Sequence, residues 1–403
     1  MRFLGLLPAA CVVASVAAAA PGEAPRIRNA ATAPDGVETW NLAETWRAGG
    51  EDDDIFFGVI TDAKLDGEGN VMLLDMQLSR IYVYDSDGER LRAIGRDGDG
   101  PGEFRQASDL VSLPRDRIGV VAGFPGKIIA LEQDGTPAPS ISPGEATEGG
   151  FSIVFGAECA GDRLVLCGAK LARSDAGMNE TRYLSICDLD GRETRLLLSK
   201  EKNRDFNRPV YNEAQEYFVM RRWTIGPDGR IYAAPERDTY AVYVYSPAGE
   251  LERIIEREYT PRERTQDEKD EVGSELVIMT PNGRLQMERE VLDHEPCVFS
   301  MFVDRDGLLW VADGHSGKHD GVFRRYDVFD PDGRFVKQVD LVADGDADED
   351  GLLALGDGRF VLVRGLTAAS DAMTAGFDEA DDDDTADLEE DDPLEVILLR
   401  RGA

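Results

Sequence analysis

Basic residues are scarce in this sequence, histidine is nearly absent, and only one stretch is continuously apolar. Lysine and arginine number 44 against 79 acidic residues, a formal charge of −35 over 403 residues. Nucleic acid and anionic membrane surfaces would repel such a chain, so neither is expected as a partner. A cationic ligand, a divalent metal or a saline habitat would each suit the charge. Hydrophobic content is an ordinary 42%, enough for a chain of this length to bury one large core or two smaller ones.

The apolar stretch opens the chain. Arg2, the run Leu4 to Val16 and Ala17-Ala18-Ala19 have the charge, length and small-residue end of a secretory signal cut after Ala19. The run is short of the ~20 residues a spanning helix needs, so membrane insertion is not expected, and Cys11 makes only a faint lipidation pattern. The mature chain is expected to be periplasmic or secreted. Four cysteines survive cleavage, Cys159, Cys167, Cys187 and Cys297. Their spacing matches no zinc pattern, and either a structural bridge or buried thiols would fit an oxidising compartment. No Ser/His/Asp elbow, Walker loop, dinucleotide fingerprint or Cys-x-x-Cys pair is present.

What the chain does have is a repeated pair of tight turns. The first kind is Glu68-Gly69, Arg115-Asp116, Gly161-Asp162, Asp228-Gly229, Asp306-Gly307 and Asp357-Gly358. The second is Asp87-Gly88, Asp134-Gly135, Asp190-Gly191, Ala248-Gly249 and Asp332-Gly333. The second follows the first by about twenty residues, or nearly thirty where a loop has grown, as a repeated supersecondary unit should. Apolar, alternating strands flank the turns, such as Val71-Met72-Leu73-Leu74 and Ile81-Tyr82-Val83-Tyr84. Each unit is therefore expected to be a four-stranded antiparallel meander with two-residue hairpins. The sixth unit lacks its second turn, while a spare strand, Val37 to Leu42, opens the mature chain. The expected architecture is all-β: a six-bladed β-propeller, its ring closed by the N-terminal strand completing the last blade.

One blade carries a family signature. It runs Asp75, then Arg80-Ile81-Tyr82-Val83-Tyr84, Asp87-Gly88 and Gly98-Asp99-Gly100-Pro101-Gly102-Glu103-Phe104. This closely resembles the NHL repeat, and the chain looks like the bacterial secreted six-bladed β-propellers. Units four and five match more loosely; the others keep the spacing without the Asp…Arg-Ile signature.

The expected organisation is a signal peptide at 1–19, a linker at 20–36 and the propeller at 37–403. Two insertions break the period, a polar one near 200–222 and a charged one near 260–290. The second lies between blades four and five and reads as a helix starting at Thr260-Pro261, either a lid or a cover on the outer surface. The acidic stretch 371–393 reads as a solvated loop between two strands of the last blade.

Three places could carry chemistry. Asp346, Asp348 and Asp350 form a D-x-D-x-D-G stretch able to converge on Ca2+, with Asp357 twelfth in line. His294, His315 and His319 all fall in the fifth unit. Propeller lyases that amidate peptides draw histidines from several blades, and this distribution departs from theirs. The third place is the channel mouth at the loop-rich face, where propeller ligands collect. The loops would bring Asp109, Arg222, Glu236, Asp313 and His315 there, able to bind a small polar ligand or a protein. Asp75 and Arg80 fall nearby but read as strand-bracing residues of the NHL signature. The expected function is a monomeric, non-catalytic binding propeller. The alternative is a metal-dependent hydrolase or lyase with its site in the central channel, as in gluconolactonase-type propellers.

Overall fold

The computed structural model describes residues 24–51, 55–143, 150–174, 177–204, 210–273, 278–280, 283–285, 288–378 and 393–402. The signal segment, Cys11 and most of the acidic stretch lie outside them. Two strands come first, β1 (Arg26–Asn29) and β2 (Val37–Gly49). Blade 1 is β3 (Ile60–Leu65), β4 (Val71–Asp75), β5 (Arg80–Tyr84) and β6 (Arg90–Ile94). Blade 2 is β7 (Ala107–Leu113), β8 (Arg117–Ala122) and β9 (Lys127–Leu131), extended by an antiparallel bridge from Ile128 to Ile141. Blade 3 is β10 (Phe151–Ala160), β11 (Arg163–Ser174), β12 (Gly177–Cys187) and β13 (Glu193–Arg204).

The first insertion holds β14 (Val210–Asn212) and α1 (Glu213–Glu216). Blade 4 is β15 (Trp223–Ile225), β16 (Ile231–Ala233), β17 (Ala241–Tyr245) and β18 (Leu251–Arg257). The second insertion holds α2 (Gln266–Glu271), β19 (Ile278–Thr280), β20 (Gly283–Leu285) and β21 (Glu288–Glu290). Blade 5 is β22 (Val298–Val303), β23 (Leu309–Asp313), β24 (Arg324–Phe329) and β25 (Phe335–Val342). The chain finishes with β26 (Gly351–Ala354), β27 (Arg359–Arg364), α3 (Leu366–Asp378) and β28 (Glu395–Arg401).

Packing explains why the middle strands read as unbroken apolar runs. Every residue of β4 is buried, because one face meets the preceding sheet and the other the following one. Met72, Leu74 and Ile81 of blade 1 pack with Leu110, Val120 and Ile129 of blade 2. Similar clusters lie between each later pair of sheets. Leu73 and Tyr82, on the other face of blade 1, pack with Trp46, Val361 and Val396 of the last sheet. The first strand of each sheet is innermost: β3 touches β7, β7 touches β10, β10 touches β15, β15 touches β22, and β26 touches β3.

The N-terminal segment runs along the outside of three sheets. β1 pairs parallel with β18. The first half of β2, Val37 to Asn41, pairs parallel with β25, and its second half, Leu42 to Gly49, pairs antiparallel with β28.

The turns also account for part of the acidity. Asp85 Oδ1 accepts from the N–H groups of Asp87 and Glu89, both at 2.9 Å. Asp188, Asp304 and Asp330 do the same for their own turns. These carboxylates satisfy backbone donors that a tight hairpin would otherwise leave to water.

Two expectations need correcting. Among its described residues the second insertion is helical over six, Gln266–Glu271, capped by Thr265, whose side chain and Glu268 form a reciprocal capping box. Thr260-Pro261 precedes it outside any helix or strand; a proline tolerates a helix start without specifying one, whereas Thr265 and Glu268 satisfy two orphan donors. Three further described segments pair as strands, β19 with β20, and β21 parallel with β14 of the first insertion. Residues 371–378, expected in a loop, continue helix α3, whose Ala-rich sequence favours a helix ahead of the acidic run. Of the two alternatives for the cysteines, the structure has thiols: Cys159, Cys167, Cys187 and Cys297 are free, the last three buried.

Candidate functional site

The innermost strands bring a charged group to the axis. Asp62 and Lys64 come from β3, Asp109 from β7 and Glu158 from β10. On each strand they share a face with the core turned toward the next blade: Asp62 pairs with Leu74, Lys64 with Met72, Asp109 with Val121 and Glu158 with Val165. Lys64 Nζ lies 3.8 Å from Asp62 Oδ2 and 4.0 Å from Asp109 Oδ1. Each carboxylate also grips the next inner strand. Asp62 Oδ2 accepts from Leu110 N, Asp109 Oδ2 from Ala157 N and Glu158 Oε2 from Ile225 N, all at 2.9 Å. Thr224 Oγ1 adds a bond to Glu158 at 3.3 Å. Three successive steps between blades 1 and 4 are thus tied by carboxylate–backbone bonds.

This crowding shifts protons. Burial, and then the neighbouring Asp62 charge, push Asp109 well above the usual carboxylate range, with Lys64 pulling the other way. Burial also raises Glu158, and Lys64 is raised chiefly by Asp62. An acid raised in the folded state favours folding fully below its unfolded value, about 3.9 for aspartate, and loses that advantage as pH climbs through the folded value. Asp109→Asn should therefore raise the melting midpoint by about 2–4 °C at pH 8 and leave it unchanged at pH 4. Thermal melts at the two pH values check this; an equal shift at both would disprove the proton-linked account.

A cavity of about 350 Å³ opens where the first-kind turns cluster, lined by Glu158, Cys159, Gly161, Ile225, Arg305 and Gly356 among others. It lies at the end of the sheets opposite the loop-rich face. Burial pushes the Cys159 thiol up to about 11, so it remains a thiol rather than a nucleophilic thiolate at neutral pH.

The structure scatters the residues singled out from sequence. Asp109 is at the axis. Arg222 is spent on backbone carbonyls, donating from Nε to Val298 O at 2.9 Å and from Nη1 to Met220 O at 3.1 Å, and it stacks on Tyr217. Glu236 accepts from the Tyr243 hydroxyl at 2.6 Å. Asp313 and His315 do lie together: His315 N donates to Asp313 Oδ1 at 2.8 Å, while its Nε2 is 3.0 Å from Thr260 O. Asp75 is fully buried and accepts from Gly58 N and Leu78 N, both at 2.8 Å, the bracing role read for it from sequence.

The aspartate stretch is likewise turned inward. Asp346 Oδ1 accepts from Asp348 N, Asp350 Oδ2 from Asp346 N and Asp350 Oδ1 from Gly365 N, each at 2.9 Å. Asp357 sits beyond β26, at the opposite end of the sheet, where Arg359 holds it. It therefore cannot close a calcium loop with Asp346. Among the described residues no three His, Cys, Asp or Glu side chains group so as to hold a metal.

Residues 52–136, spanning the first two blades, match a family described as 6-bladed beta-propeller. The fold is a six-bladed β-propeller. Solved structures share its course at low identity. A member of the DUF4221 family from Bacteroides vulgatus is 7% identical over 90% of this chain and 98% of that one, with a TM-score of 0.49. Regucalcin, a calcium-binding protein from Agrobacterium tumefaciens, is 11% identical over 91% and 97%, with a TM-score of 0.41. A gluconolactonase from Xanthomonas campestris is 10% identical over 89% and 98%, with a TM-score of 0.42. At these scores the likenesses decide nothing about function. No curated protein matches the chain. Among the described residues, no helix of the propeller is long and apolar enough to cross a membrane.

Sequence reasoning missed Asp62, Lys64 and Glu158. The available signal was polar residues at alternate positions of the first strand in successive units, where a strand buried on both sides would have none.

Proposed function

We propose that this chain is an exported, NHL-like propeller, its ring closed by β2, that binds a protein partner on its loop-rich face. One observation carries the reading. Phe56, Leu78, Phe124, Met220 and Phe299 are large, apolar and exposed, Phe56 and Phe124 to 65%. All five belong to loops or strand starts on the face where blade links and second-to-third-strand turns emerge. Exposed aromatics gathered on one face mark interaction surfaces more often than scattered ones do. Arg222, Glu236 and Asp75 on that face are meanwhile committed to internal bonds, which favours a protein over a small polar ligand. A photo-crosslinking residue at position 299 or 56, introduced in the producing cell, should capture a discrete protein that the same residue at Leu91 or Leu196 does not. Identical labelling from all four positions would refute the reading.

A second reading rests on Glu158, a carboxyl raised by burial at the edge of the cavity. A carboxyl that burial makes hold its proton more tightly there could serve hydrolase or lyase chemistry in the channel. Turnover of a lactone or ester panel that disappears in Glu158→Gln, with binding on the other face intact, would establish it.

A further inference from the structure

The proposed loop-face partner has a chemistry that the surface itself specifies. Going round the axis, the exposed apolar residues fall in order: Met220 entering blade 4, Phe299 at the bulge that starts blade 5, Phe56 entering blade 1, Leu78 in the β4–β5 turn and Phe124 in the β8–β9 turn. Between Phe299 and Phe56 comes the link from blade 5 to blade 6, residues 343–350. It contains Asp344, Asp346, Asp348, Glu349 and Asp350 and no lysine or arginine. Asp344, Asp346, Asp348 and Glu349 are exposed. Among the described residues, the cations paired with its carboxylates are Lys318, 2.7 Å from Asp348, and Arg364, 3.7 Å from Asp344.

Resting on the loop-face reading, we infer that the partner presents a cationic amphipathic segment. Its lysines or arginines lie over the acidic 343–350 link, and its apolar side chains seat on Phe299 to one side and Phe56 to the other. A neutral apolar segment would face the link's carboxylates, five against the two cations Lys318 and Arg364, with no charge of its own to balance the excess, and an acidic one would be repelled. A basic hydrophilic segment would leave two phenylalanines in water. Only a segment with both characters satisfies the whole arc, and the chain's overall charge of −35 would speed its approach.

The test uses the mature protein and a fluorescent leucine–lysine peptide, amphipathic as a helix, with anisotropy as the readout. The comparison peptides replace lysine by glutamine or by glutamate. The expected result is binding of the lysine peptide that weakens with added salt. Phe56→Ser with Phe299→Ser should weaken it about tenfold, as should Asp344→Asn with Asp348→Asn and Glu349→Gln. Leu91→Ser with Leu196→Ser, on outer strands away from the mouth, should leave it unchanged. If the glutamine peptide binds as tightly, and only the phenylalanine substitutions weaken it, the face reading stands and the cationic partner is overturned. If no peptide responds to the phenylalanine substitutions, or the outer-strand variant loses as much, both fall.

Discussion

Arg257→Met is expected to lose about 3–5 kcal/mol of stability at neutral pH, because it strands a buried carboxylate. Arg257, the last residue of blade 4, reaches into blade 5. Its Nη1 lies 2.6 Å from Asp327 Oδ2 and 3.3 Å from Asp313 Oδ2, and its Nη2 donates to Ala31 O at 3.1 Å. Asp327 is 2% exposed and is also bonded by the Tyr240 hydroxyl at 2.7 Å and Gln338 Nε2 at 2.9 Å. Burial already raises Asp327, and Arg257 is the chief influence holding it down. Without the guanidinium it would rise further and take up a proton on folding. The loss should therefore be large at pH 8 and shrink as pH falls toward the unfolded aspartate value. Denaturant midpoints across that range measure it. Adding Asp327→Asn should recover much of the loss, since an amide has no charge to strand. A pH-independent loss, unrelieved by the second substitution, would mean the arginine stem's packing matters and its charge does not.

Gly88→Ala and Gly69→Ala form the second test, matched by conformation. Both glycines have φ of +87°, where a side chain costs about 1–2 kcal/mol. They differ in surroundings. A Cβ on Gly69 would meet nothing within 4 Å, whereas one on Gly88 would lie 2.7 Å from Trp46 Cβ and 2.8 Å from Trp46 Cγ. Trp46 is itself 6% exposed and stacked on Tyr84, so it has little room to retreat. Overpacking adds about 1–3 kcal/mol. Gly88→Ala should thus lower the unfolding midpoint clearly more than Gly69→Ala. Equal losses would show that backbone conformation alone sets the requirement. The other second-kind turns make the same approach: Gly191 lies against Ile141, Gly249 against Leu197 and Gly333 against Ile255.

That contrast shows what the sequence could reveal. Both turn families were legible, because Asp-Gly between alternating strands has a local cause in hairpin geometry. Their different packing was not, since it depends on which sheet lies next door. Blade 3 exceeded the expected length for a similar reason. Its strands reach 10, 12, 11 and 12 residues where a loop was the simpler account of the wider turn spacing. Arg182, on β12, bonds Glu180 and Glu216 at 2.6 Å and helps tie that extension to the first insertion. Asp109 was placed at the channel by blade arithmetic, but Asp62, Lys64 and Glu158 emerge only once three inner strands converge. Arg222 and Glu236 read as ligand contacts because charge near a mouth suggests binding; their partners, a carbonyl 76 residues on and a tyrosine hydroxyl across a turn, leave no local trace. The Asp346–Asp350 stretch looked like a cation loop because Asx turns and calcium loops favour the same residues.

The outer course of the N-terminal segment bears on the time order of folding. β2 is made early, yet its two pairing partners, β25 and β28, lie near the far end of the chain. At about 5–20 residues per second, a chain of this size spends roughly 20–70 s in synthesis with that strand waiting. Blades 1 to 3 can assemble in sequence from neighbouring contacts, while Trp40 and Leu42 remain without their packing partners near the far end of the chain. Until β25 and β28 arrive, β2 presents an unpaired strand edge open to other pairings. Shifting β2 to the C-terminus by circular permutation would turn the slowest encounter into a local one.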